Sequence, residues 1–282
     1  MSVITDILQL LLTANLWQVA LVSAVLLLLP ALGGVISERS GVVNIAMEGM
    51  MLTGAFFAVW ADLIWHSPWI AVLVAMVAGG LMALIHAVVS IRFRADQIVS
   101  GIAINIFAAG LTVFLVRAIY GLQDVGHVVP AEALPNWDVP VLSAIPFIGQ
   151  VVFQQNVVVY IALILLVVVE IVLFRTRLGL RIRAVGEHPQ AADTAGLNVY
   201  LIRYGAVITS GLLSGLAGAF LAVVALYRVP TLSPYFLALA AASFIYVVMT
   251  DLLPDMHRGV VRVGAVWQVA LLLAGILTVA IL

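Results

Sequence analysis

The chain has no cysteine and no lysine, and only 9% of its 282 residues are charged. Without cysteine, disulfides, thiolate metal sites and a cysteine nucleophile are all excluded. The scarcity of charge decides the class, because soluble globular domains carry roughly 25% charged residues. With 65% hydrophobic residues, the composition is that of an integral membrane protein. All twelve basic residues are arginine, so charge asymmetry across the membrane is read from arginine alone. The first residues, MSVITDILQLLLTANLWQVA, have neither a basic start nor a small-residue cleavage site, and no removable signal peptide is expected. No Ser/His or paired-Asp arrangement at helical spacing supports catalysis, so the chain does not read as an enzyme.

What is present is mostly hydrocarbon. Eight segments have the length of about 20 apolar residues that a span needs. They are Leu16–Ile36, Val42–Ala61, Trp69–Ile91, Ile98–Ile119, Val157–Phe174, Ile202–Leu226, Leu237–Leu253 and Gly264–Leu282. The prediction is an all-α integral membrane protein of about eight transmembrane helices. The second is expected to be broken or re-entrant, because it opens on Asn44 and carries Glu48. With the N-terminus outside, the inner loops hold Arg39, Arg92, Arg94, Arg175, Arg177, Arg181, Arg183, Arg203, Arg258 and Arg262, and the outer side keeps Arg117 and Arg228. That bias sets the orientation. The proline-rich stretch Gly121–Asn156 then lies outside and reads as an ordered cap over an opening.

Few polar groups interrupt the apolar runs. Asn44 and Glu48 are four residues apart, which on a helix puts an amide and a carboxylate on one face. They read either as the lining of a translocation path or as ordinary interhelical hydrogen bonds with a helix-start ion pair of Glu38 or Glu48 to Arg39. Asn105 is open to the same two readings. Asp96 reads as a helix N-cap, His86 as a hydrogen-bonded core residue, and Glu170 as a side chain reaching toward Arg175 or Arg177. Gly211-x-x-x-Gly215, with Ser214 and Gly218, offers a close-packing face for another helix or a second subunit.

The polar island Arg175–Asn198, RTRLGLRIRAVGEHPQAADTAGLN, lies between two spans on the arginine-rich side. Pro189 suits the first turn of a helix, and Gly196 stops it. The result is one short helix across the inner surface, whose alanines would let it sit in a groove of a partner, or lie against lipid head groups.

SERSGVVNIAMEGMMLTGAF, ADQIVSGIAINIFAAGLTVFL and RLGLRIRAVGEHPQAADTAGLNV together resemble the permease subunits of bacterial ABC importers for nucleosides and simple sugars. That group is related to ribose and branched-chain amino acid permeases. The blocks fall in family order over roughly residues 20–235. The resemblance implies a permease-like domain over residues 1–235 with a cytoplasmic coupling loop at 175–200, seated in the bacterial inner membrane. Glu187, His188, Pro189, Ala191, Ala192 and Gly196 would form the coupling helix that docks on a separate ATPase subunit. Asn44, Glu48 and Asn105 would line the substrate path. Gly211, Gly215 and Gly218 would serve helix packing. The chain would bind no cofactor itself, ATP and Mg belonging to the partner, which agrees with the absence of a GxxxxGK[ST] loop. Its partners would be the ATPase, a second permease subunit of the same or another kind, an extracytoplasmic substrate-binding lipoprotein and the lipid bilayer, with no nucleic acid.

Residues 236–282 depart from that pattern. Leu237–Arg258 and Trp267–Leu282 instead resemble the last two spans of the Zrt/Irt-like (ZIP) metal transporters, as if the chain were a chimera or a design. That likeness puts Asp251, Asp255 and His257 forward as a metal approach, against the alternative of a helix cap beside Arg258. Two further functions therefore stand beside the importer permease: a ZIP-like divalent metal carrier and a non-transporting membrane scaffold.

Overall fold

The computed structural model describes residues 13–121, 135–138, 140, 143 and 145–228. In chain order its elements are α1 (Ala14–Arg39), α2 (Met47–Trp65), α3 (Pro68–Ala87, prolonged by a π-helical turn at Val88–Arg92), α4 (Gln97–Tyr120) and β1 (Asn136–Asp138). They continue with α5 (Ile148–Val152), β2 (Gln154–Asn156), α6 (Val157–Arg175), α7 (Arg177–Glu187), α8 (Pro189–Thr194) and α9 (Val199–Arg228). Among the described residues, α1, α2, α3 with its π-helical turn, α4, α6 and α9 are long and apolar enough to cross a membrane. They coincide with the first six expected spans. The expected spans Leu237–Leu253 and Gly264–Leu282, and with them Asp251, Asp255 and His257, lie outside the described residues.

The helix boundaries follow from local chemistry. Asp96 caps α4 by accepting from Ile98 N at 2.8 Å and Val99 N at 3.0 Å. Asn156 accepts from Val158 N at 3.0 Å to open α6, and Asn198 accepts from Leu201 N at 3.0 Å to open α9. Between α6 and α7 a single residue makes the bend: Thr176 accepts from Gly179 N at 3.2 Å and donates back to Val172 O at 2.6 Å. Pro68 and Pro189 occupy the first turns of α3 and α8, where the missing N–H costs nothing.

Helix α9 is the hub, packed against α1, α2 and α3. The reason is a stripe of small residues on it. Ser210 and Ser214 are fully buried. A Cβ on Gly33 of α1 would stand 2.8 Å from Ser210 Cα, and one on Gly54 of α2 would stand 2.8 Å from Gly215 Cα. Gly211 lies against Ala83 and Gly79 of α3, and Gly218 against the Met51 carbonyl of α2. In a membrane, where apolar surface gains little by leaving lipid, such backbone-to-backbone approach is what holds helices together. The Gly211/Gly215/Gly218 face is thus occupied by the chain's own α2 and α3.

The described part of Gly121–Asn156 pairs β1 with β2 antiparallel, Trp137 opposite Gln155. The Tyr160 hydroxyl donates to Trp137 O at 3.1 Å and accepts from Gln155 N at 3.2 Å, and Gln18 of α1 donates to Gln150 O at 2.6 Å.

Candidate functional site

Two regions concentrate the chain's polar chemistry. The first is the break between α1 and α2. After Arg39 the chain turns at Ser40 and at Gly41, whose φ of +85° is left-handed. It then runs without helical bonding through Val42–Ala46 before α2 begins. Backbone left without helical partners must be satisfied by other groups, and here five side chains do so. Ser37 Oγ donates to Val42 O at 2.7 Å, and Gln97 Oε1 accepts from Val43 N at 2.8 Å. His86 bridges Val43 O at 3.1 Å and Ser100 Oγ at 3.0 Å and is fully buried. Asn105 donates to Ile45 O at 3.1 Å and accepts from Gly49 N at 2.7 Å. Asn44 Oδ1 accepts from Ala46 N at 3.1 Å, while its Nδ2 donates to Ser210 Oγ on α9 at 2.9 Å.

The second expected span is therefore broken, as its polar start suggests, but the helical pairing of Asn44 with Glu48 does not form. Asn44 precedes the helix and is buried toward α9, only 2% exposed. Glu48 sits in the first turn of α2 and is exposed, with Leu52 exposed one turn further on the same face. No ion pair joins Glu48 to Arg39, whose guanidinium lies over Phe174 instead. Asn105, half-buried, is spent on backbone on both of its polar ends. Glu170 is exposed and makes no ion pair among the described residues, since Arg175 lies a turn and a half further along α6.

The second region is the polar island, which holds two helices rather than one. Residues Arg177–Glu187 form α7, with Gly179, Ile182 and Val185 buried at helical spacing, Arg177 and Arg181 exposed and Arg183 half-buried. Gly179 presses on the carbonyls of Val172 and Leu173 at the end of α6. Gly186 presses on the carbonyl of Arg39, and a Cβ there would lie 3.2 Å from Gly41 N. Arg203 of α9 closes the same seam by donating from Nε to Ser40 O at 3.2 Å. Then α8 stands on this base. Ala192 tucks inward at 5% exposure, so it is an anchor of the helix and not part of its free face. Glu187, His188, Ala191, Asp193 and Gly196 are exposed, and Pro189 is half-buried. Gly196, at φ +83°, ends the helix as expected. A cavity of about 490 Å³ lies beneath α8, lined by Arg94, Gln97, Gln190, Asp193, Tyr200 and Arg203 among others.

The supporting roles of Ser37, Gln97 and Ser100 were not read from the sequence; a short polar residue beside each apolar run was the available signal. Among the described residues, no group of three His, Asp or Glu side chains is placed to hold a metal ion.

Residues 16–250 match the family model for the permease component of the branched-chain amino acid transport system. The chain is 47% identical over 234 residues to the guanosine ABC transporter permease protein NupQ of Bacillus subtilis, covering 79% of this chain and 73% of that one. It is 40% identical over 228 residues to the nucleoside ABC transporter permease protein NupC of Lactococcus lactis, covering 77% and 71%. A putative glucose ABC transporter permease protein of Haloferax volcanii is 35% identical over 214 residues, covering 74% and 63%. No solved structure matches. The family match continues to residue 250, across most of the Leu237–Leu253 stretch, and the ZIP resemblance of that stretch finds no support.

Proposed function

This chain belongs to the family of branched-chain amino acid transport permease components, a family of multi-pass membrane proteins, and from that membership we propose that it forms part of the membrane path of an ATP-driven nucleoside importer. The nucleoside assignment draws on the names of two relatives; a simple sugar is the second substrate class, drawn from the third. A substrate-binding lipoprotein delivers the ligand at the outer face, near β1–β2. The path runs between this chain and a second permease subunit. ATP and Mg are held by a separate ATPase, and this chain contributes no catalytic group.

The observation that carries this reading is the riveted lever at the cytoplasmic face. Ala191 and Asp193 of α8 are exposed, as are Glu187 and His188 just before it. Its base, α7, is locked through Gly186 to Arg39 and Gly41, where the broken segment starts. Movement of α8 by a closing ATPase dimer is thus transmitted to Val42–Ala46, and from there through Asn44 to Ser210 of α9 and through Asn105 to α4. The substrate path on Asn44, Glu48 and Asn105 divides accordingly. Glu48 is the side chain that meets the substrate or its water, since it is exposed and no ion pair neutralises it among the described residues. Asn44 and Asn105 hold the break in shape.

The test is co-purification with the cognate ATPase. Glu187→Arg together with Ala191→Trp, both at exposed positions, is expected to abolish association while leaving the melting temperature unchanged. Undiminished association would overturn the coupling role.

A further inference from the structure

Two arginines at the cytoplasmic rim converge on one aromatic ring. The guanidinium carbon of Arg39, the last residue of α1, lies 5.9 Å from the centroid of Phe174. That of Arg183, in the middle of α7, lies 5.4 Å from it. Phe174 is the penultimate residue of α6, and it is 45% exposed. Three separate elements therefore meet at the level where a span leaves the hydrocarbon. Cation–π attraction orients each guanidinium but neutralises neither. Neither arginine has an ion-pair partner among the described residues. The nearest acids in sequence, Glu38 and Glu187, are exposed and equally unpaired. Arg183 Nε is buried and has no acceptor, a state that calls for an ion or other acceptor to complete it.

Two unneutralised forks beside a half-exposed ring describe a seat for an anion that offers several oxygens and is attached to something apolar. We propose that Arg39, Arg183 and Phe174 bind the phosphate of an anionic phospholipid in the inner leaflet. Basic sites of this kind between helices on the cytoplasmic side suit anionic head groups. The bound phosphate ties the end of α1 to α7 at the seam that Gly186 makes with Arg39. Inner-leaflet lipid thereby firms the base on which α8 stands.

The test uses the full chain purified in neutral detergent, with melting followed by tryptophan fluorescence as phosphatidylglycerol or phosphatidylcholine is added. Phosphatidylglycerol is expected to raise the melting temperature by roughly 5 °C over phosphatidylcholine. The double variant Arg39→Gln, Arg183→Gln is expected to lose that difference, while the exposed pair Arg175→Gln, Arg177→Gln keeps it. If the double variant does not fold, Arg183→Lys serves in its place; it retains the charge but loses the fork, and the difference should fall by at least half. An equal gain with both lipids, or a gain undiminished in these variants, overturns the proposal. So does inorganic phosphate reproducing the shift, which would make the ligand a free anion. Loss of ATPase co-purification with an unchanged lipid response would assign the arginines to the protein partner and overturn it as well.

Discussion

Gly186 lies so close to the carbonyl oxygen of Arg39 that any side chain at residue 186 would enter the oxygen's own space. This contact joins the helix pair that carries the exposed coupling surface to the end of the first span. Because the obstructing atom is backbone, it cannot swing aside as a flexible side chain would.

Gly186→Ala is therefore expected to destabilise the protein by about 1–3 kcal/mol through overpacking, and to cut nucleoside uptake further than the stability loss explains. Gly110→Ala is the matched control, because a Cβ on Gly110 of α4 meets nothing within 4 Å. Its melting temperature should stay level or rise slightly, helix propensity favouring Ala by about 1 kcal/mol. Equal losses in the two variants would remove the special role of the seam.

Glu48 has no partner among the described residues and is exposed in the first turn of α2. Glu48→Gln and Glu48→Leu should leave thermal stability nearly unchanged, while uptake of labelled nucleoside falls, more for Leu than for Gln. Full transport by Glu48→Leu would place the path elsewhere.

Asn105 satisfies a carbonyl and an N–H of the break at once. Asn105→Leu strands both, and leaving the N–H of buried Gly49 unpaired costs about 1–3 kcal/mol. The melting temperature should drop accordingly, and Asn105→Ser should recover part of the loss. His86→Leu should behave in the same way, because it strands Val43 O and Ser100 Oγ. A neutral result for either would mean that the broken segment is supported from another side.

Gly79 of α3 faces Gly211 and Gly215 of α9, with a Cβ on Gly79 falling 2.8 Å from Gly215 Cα. Gly79→Val is expected to cost at least about 3 kcal/mol, seen as loss of folded, monodisperse protein on size-exclusion chromatography. Gly205→Ala, on α9 with open space around it, should be tolerated.

Much of this architecture can be read along the chain. Six apolar runs became six helices at nearly the predicted bounds, Asp96 and Pro189 began helices as their chemistry directs, and His86 took up the core role its lone position suggests. The site was less legible. Asn44 and Glu48 look like one helical face, yet the helix begins after Asn44, because the neighbouring Asn105, His86 and Gln97 satisfy the unwound backbone in place of helical bonds. Nor did the island announce α7, whose buried Gly179, Ile182 and Val185 are diluted by the arginines between them. Ala192 had the right size for a docking surface and is instead what holds α8 down.

Span length, the arginine bias and the capping residues were determined by the sequence alone, since hydrophobic transfer and helix-end hydrogen bonding act on residues next to one another. Which small residue meets which backbone, and which amide closes which break, was decided only by the tertiary structure. Asn44 reaches Ser210 across 166 positions. Such a bond exists because α9 packs against α1 and α2 closely enough to bring the hydroxyl within reach, and that closeness depends on Gly33, Gly54, Gly215 and Gly218 all lying on facing surfaces at once.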